Sequence, residues 1–72
     1  MTNFIGSGVL KKYSQVLNLK QPILVRDISR FLKLPKELSA NLIVVRQNLK
    51  LNDDELIYEG DEIYLFIAAM GG

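Results

Sequence analysis

The chain has 72 residues, 49% hydrophobic and 24% charged, which fits one small folded domain and excludes a disordered segment. It has no Cys, no His and no Trp, which excludes disulfides, thiolate nucleophiles, Cys/His zinc sites and imidazole acid–base chemistry. Nine basic residues against eight acidic leave a net charge of +1, short of the basic excess that marks a dedicated nucleic-acid binder.

In chain order, Thr2 to Ser7 reads as a first strand carrying Phe4 and Ile5 and loosening at Gly6 and Gly8. Val9, Leu10 and Tyr13 fall at helical spacing and suggest a single turn. From Gln15 to Lys20 the pattern alternates, with Leu17 and Leu19 on one side and Asn18 and Lys20 on the other, as in a half-buried strand. Pro22 breaks it, because the residue before a proline is pushed out of the helical region. Val25, Ile28, Phe31 and Leu32 then form one apolar stripe with Arg26, Asp27, Ser29 and Arg30 opposite, an amphipathic helix that Leu34-Pro35 ends. Pro35 to Leu38 fits one further turn with Pro at its first position.

Leu42-Ile43-Val44-Val45 is an unbroken apolar run, the pattern of a strand covered on both sides. Arg46-Gln47-Asn48 turns the chain, and Leu49 to Leu51 returns as a brief strand. Glu59-Gly60-Asp61 is a tight turn in which Gly supplies a positive φ. Asp61 to Ala69 alternates, with Ile63, Leu65 and Ile67 on one face and Tyr64, Phe66 and Ala68 on the other. One helix on one mixed sheet, an α+β domain, accommodates these elements. The helix covers one sheet face, the Ile63 side, and leaves Tyr64 and Phe66 on the open one.

Catalytic patterns are missing. Gly6-Ser7-Gly8 lacks the spacing of a phosphate-binding loop and reads as a flexible turn. Asp53/Asp54 and Asp61/Glu62 do not fit a calcium loop. The charges from Lys11 to Arg30 are basic except Asp27, and those from Asp53 to Glu62 are all acidic; solvated surface explains both blocks, with steering of a charged partner as the alternative. The first residues lack a signal-peptide pattern, and the apolar run Ile63–Met70 is far shorter than the roughly 20 residues of a membrane span, so a soluble, cytoplasmic chain is expected.

Two features remain. Tyr64 and Phe66, with Ala68 and Met70, mark a partner-binding patch. After the best strand in the sequence come Gly71 and Gly72, which without Cβ atoms make a thin tail able to enter a narrow channel. An α-carboxylate on Gly72 would be ionised at neutral pH and a poor electrophile, so acyl chemistry there needs activation by another protein. With no base, nucleophile or oxyanion donor of its own, such a chain is a substrate of that chemistry and no enzyme.

The run Asp54-Glu55-Leu56-Ile57-Tyr58-Glu59-Gly60-Asp61-Glu62-Ile63-Tyr64-Leu65-Phe66, continued to Gly71-Gly72, resembles the ubiquitin-like sulfur carriers of the ThiS/MoaD family. Val25-Arg26-Asp27-Ile28 looks like that family's helix start, and Val44 to Asn48 like its third strand and turn. The resemblance implies a β-grasp (ubiquitin-like) fold over residues 1–72, a mixed four- to five-stranded sheet on one main helix, with 69–72 a flexible reactive tail. It implies that an adenylating enzyme of the ubiquitin-activator type uses ATP to make an acyl-adenylate at Gly72. Sulfur from a cysteine-derived persulfide then displaces AMP, and the thiocarboxylate donates sulfur to thiazole synthase or to the large subunit of molybdopterin synthase. No cofactor or metal is bound by the carrier itself. Leu24 stands where family helices often have Ser or Thr, and Ala68-Ala69 where the molybdopterin subunit commonly has two prolines. Phe4-Ile5-Gly6 with Leu10 to Tyr13 looks more like the molybdopterin type and the length more like the thiazole type, so both pathways stay open. A protein modifier conjugated through Gly72, and a plain interaction module, are the alternatives.

Overall fold

The computed structural model describes residues 1–68, so Ala69, Met70, Gly71 and Gly72 lie outside the described residues. It is an α+β fold built on a mixed five-stranded sheet. The strands in chain order are β1 (Thr2–Gly6), β2 (Gln15–Leu17), β3 (Ile23–Leu24), β4 (Leu42–Arg46), β5 (Leu49–Lys50), β6 (Leu56–Ile57) and β7 (Glu62–Ile67). The main sheet runs β2-β1-β7-β4-β5, while β3 and β6 form a separate two-stranded pair. Among the described residues only β1 and β7 pair in parallel, at the centre, with Phe4 beside Ile63 and Gly6 beside Leu65. The other pairs are antiparallel.

One face of the sheet is the core. Phe4, Ile63 and Leu65 are almost completely buried there, with Val44 beside them. Leu10, Ile28 and Leu32 cover them from the connecting segments, and Ile57 closes one end. The 3₁₀ segment Gly8–Tyr13 folds back on β1 so tightly that a Cβ on Gly6 would sit 2.1 Å from the Leu10 carbonyl oxygen. Only glycine fits that position.

The single main helix expected after Pro22 is replaced by short pieces. Ile23-Leu24 pairs with β6, a 3₁₀ turn spans Val25–Asp27, and α1 is only Ile28–Phe31. The stripe is real, with Val25, Ile28 and Leu32 buried, but Phe31 is 42% exposed and its ring centroid lies 6.3 Å from that of Phe4. Lys33 at φ 60° stops α1, with Leu34 N–H donating to Ser29 C=O and Lys33 N–H to Arg30 C=O. That pattern satisfies the last carbonyls of a helix and requires one left-handed residue. A second helical turn, α2 (Lys36–Ser39), follows Pro35.

Two further expectations change. β4 is not covered on both sides: Val44 is buried, whereas Ile43 and Val45 are only half-buried on the open face. The strand expected from Gln15 to Lys20 ends at Leu17, because Leu19 N–H leaves the sheet to bond the Glu59 side chain. Gln47 (φ 53°) and Asn48 (φ 64°) make the tight turn between β4 and β5, whose twist both left-handed residues match. No helix among the described residues is long and apolar enough to cross a membrane.

Candidate functional site

The candidate site is the open face of β7 and the segment that follows it. Strand pleating sends Glu62, Tyr64 and Phe66 away from the core as it sends Ile63 and Leu65 into it. Residues at matched register share a face, so Tyr64 stands between Ile5 on β1 and Val45 on β4, and Phe66 beside Ile43. Val16 on β2, paired with Asn3, extends the same face to the sheet edge and is 58% exposed. Ile5, Val16, Ile43, Val45, Tyr64 and Phe66 therefore form an apolar band across the sheet. Nothing in the local sequence marks Ile5, Val16, Ile43 or Val45 as members of it. Ile43 and Val45 are legible only as part of an apolar run whose sidedness is invisible without the sheet order.

The band is edged with polarity at one end. Tyr64 O–H donates to Glu62 Oε1 at 2.6 Å. That hydrogen bond, with some desolvation and the adjacent negative charge, raises the phenol above its ordinary value. Ala68 N–H donates to Asn41 C=O at 2.8 Å, so the last described residue is still tied to the sheet. Of the expected site residues, Tyr64, Phe66 and Ala68 share one end of the open face, whereas Met70, Gly71 and Gly72 lie outside the described residues.

The turn that starts β7 is fixed by two acidic side chains that, by sequence pattern, look like solvated surface. Thr2, fully buried, donates its hydroxyl to Glu59 Oε1 and accepts from Gly60 N–H. Glu59 also accepts from Leu19 N–H at 2.7 Å and pairs with the Met1 amino group. The Leu19 amide first, then the amino group and Thr2, pull the Glu59 carboxyl down to about 2. Asp61 Oδ2 accepts from Tyr58 N–H and from the Arg46 guanidinium at 2.8 Å, and the same Arg46 nitrogen donates to Leu56 C=O. Gly60, at φ 94°, supplies the positive φ expected of it.

Among the described residues no group of three or more Asp, Glu, His or Cys side chains is arranged to hold a metal ion. The chain matches no protein-family model and no curated protein. What the described residues offer is an apolar surface on the central strand of the sheet.

Proposed function

We propose that the chain is a β-grasp sulfur carrier of the ThiS/MoaD type. The observation that carries the reading is the junction of two features: a parallel β1–β7 pair at the sheet centre with an apolar open face, and Gly71-Gly72 a few residues beyond that strand. The strand order β2-β1-β7-β4-β5 with helical turns on one face supports the β-grasp part of the proposal.

In this reading an adenylating enzyme docks on Tyr64, Phe66 and their neighbours and draws the tail into its active site. Gly71 and Gly72 pass where any side chain would block. A Gly72 carboxylate oxygen attacks the α-phosphorus of ATP and pyrophosphate leaves. The terminal sulfur of a persulfide then displaces AMP at the acyl carbon, and a second thiol of the sulfur-donating partner cleaves the resulting acyl disulfide, leaving a disulfide on that partner and a thiocarboxylate on Gly72. A sulfur-accepting synthase docks on the same face and takes sulfur from the resulting thiocarboxylate. The carrier contributes position and a reactive end, and its partners contribute the catalysis.

The reading requires a free carboxylate on Gly72. Intact-mass measurement of the protein from its native cell tests this, as does incubation with a co-encoded activating enzyme, ATP and a sulfur donor. The expected product has one oxygen replaced by sulfur. Absence of that product sinks the proposal. Gly72-linked conjugates that survive boiling in reductant make the chain a protein modifier instead.

A further inference from the structure

We propose that the outer edge of β2, with the groove beside Phe31, accepts an extended acidic–apolar peptide as an added strand. Hydrogen bonds along β1 alternate in direction. Asn3 N–H donates to Asp61 C=O and Ser7 N–H to Leu65 C=O, so Asn3, Ile5 and Ser7 bond toward β7. Thr2 and Phe4 then bond toward β2, through their partners Leu17 and Gln15. That leaves the N–H and C=O of Val16 turned outward, on a strand that ends the sheet. Those two groups are where an incoming strand pairs.

The edge is short, at three residues, but little else defends it. Natural edge strands carry charges, prolines or bulges that deter pairing. Ser14 to Leu19 contains no charge and no proline, and Val16 is exposed. On the core side the edge borders a groove of about 300 Å³ lined by Leu19, Lys20, Ile23 and Phe31 among others. Phe31 overhangs it, partly exposed, its ring tilted against Phe4. Alternate side chains of an added strand fall on this side of the sheet, so an apolar residue of the peptide enters the groove.

Charge selects the occupant. From Val9 to Arg26 the sequence holds Lys11, Lys12, Lys20 and Arg26 and no acidic residue. Lys12 and Lys20 flank the two ends of the edge. Glu59, beside the edge at Leu19, is already engaged by Leu19 N–H, Thr2 and the Met1 amino group, and Glu62 lies two strands inward on the open face, where it accepts from the Tyr64 hydroxyl. A strand with apolar residues at its centre and Asp or Glu at its ends matches both features. A second copy pairing antiparallel about Val16 would bring Lys12 of one chain toward Lys20 of the other, which repels. Val16 is also the edge of the apolar band that contains Tyr64 and Phe66, so the peptide and the proposed activating enzyme meet at one margin of the open face.

The test is amide NMR on the isotopically labelled chain, titrated with a capped synthetic peptide of alternating Val and Thr flanked by Asp-Glu pairs. The Val16 amide shifts and becomes protected from exchange. Lys12→Glu with Lys20→Glu weakens binding by at least about tenfold, as does Phe31→Ala. Val16→Pro removes the outward N–H without costing β1 a hydrogen bond, and weakens binding by a similar factor in a chain whose other amide signals stay dispersed. Equal binding of a peptide with Lys-Lys flanks, shifts confined to Ile5, Tyr64 and Phe66, or no shift at millimolar peptide overturns the proposal. So does concentration-dependent protection of Val16 without peptide, which makes the occupant a second copy.

Discussion

The two faces of β7 are made by alternate residues of one strand, yet they have opposite environments. Ile63 and Leu65 are fully buried, whereas Tyr64 is half-buried and Phe66 is 38% exposed. Apolar character alone does not separate them, since both sets are apolar. What separates them is register: a one-residue slip of β7 would exchange the faces and put the tyrosine and phenylalanine into the core. The Thr2–Glu59–Gly60 cluster and the Arg46–Asp61 pair stand where β7 begins, and they hold that register. Core and open face are thus divided along the same six residues, and the division can be tested from either side.

The largest effect is expected in the core. Leu65→Ala should cost about 2–5 kcal/mol in urea unfolding, a large part of what so small a domain has. A loss no larger than that of Phe66→Ala would break the distinction between faces. Next comes the register clamp. Arg46→Ala leaves Asp61 half-buried without its cation and removes the hydrogen bond to the Leu56 carbonyl, for about 1–3 kcal/mol. Arg46→Lys should recover only part of this, because the same guanidinium nitrogen serves both acceptors.

Acid tests the other half of the clamp. The Glu59 carboxyl is depressed to about 2 in the folded chain, whereas an unfolded glutamate titrates near about 4.3. Its contribution is therefore complete above the unfolded value and is lost as pH falls through that window toward about 2. The urea midpoint should fall with pH across this range, and the fall should be smaller in Glu59→Gln. Equal slopes in the two proteins would show that Glu59 does not hold the turn.

The smallest stability effects belong to the open face. Phe66→Ala should change unfolding free energy by about 1 kcal/mol or less while weakening docking of the proposed activating enzyme. Absorbance titration should place the Tyr64 phenol above the ordinary tyrosine value, and Glu62→Gln should bring it down.

Period-two alternation makes the two faces of β7 legible in the sequence alone, and Gly60 marks its turn. Gln47-Asn48 is readable as a turn because Asn tolerates the left-handed region. Less is readable where elements are short. Ile23-Leu24 pairs with Leu56-Ile57 over only two residues each, too few for a period to show, and the stripe from Val25 to Leu32 passes for one continuous helix. The roles of Glu59 and Asp61 are hidden for another reason: their partners are distant. Glu59 meets Leu19 across 40 positions and Thr2 across 57, and no local pattern carries that information. The two glycines of the candidate tail are plain in the sequence, whereas the apolar band that accompanies Tyr64 and Phe66 emerges only from the sheet order.

The central parallel pair has a consequence for how the chain comes to be folded. β1 is the first of the described strands to be synthesised, and the strand it needs on its inner side is the last of them. Until Glu62 to Ile67 have left the ribosome, Phe4 has no Ile63 to lie beside and the β1–β2 hairpin is a ribbon with one bare flank. Two-stranded ribbons of this size are marginal in water. The domain therefore acquires its core in one late step, after the whole sheet has been made, and pays the closure entropy of nearly its entire length before that step is rewarded. During that interval the uncharged segment Ser14 to Leu19 is exposed beside an unfinished sheet, which makes synthesis the moment at which aggregation competes most directly with folding.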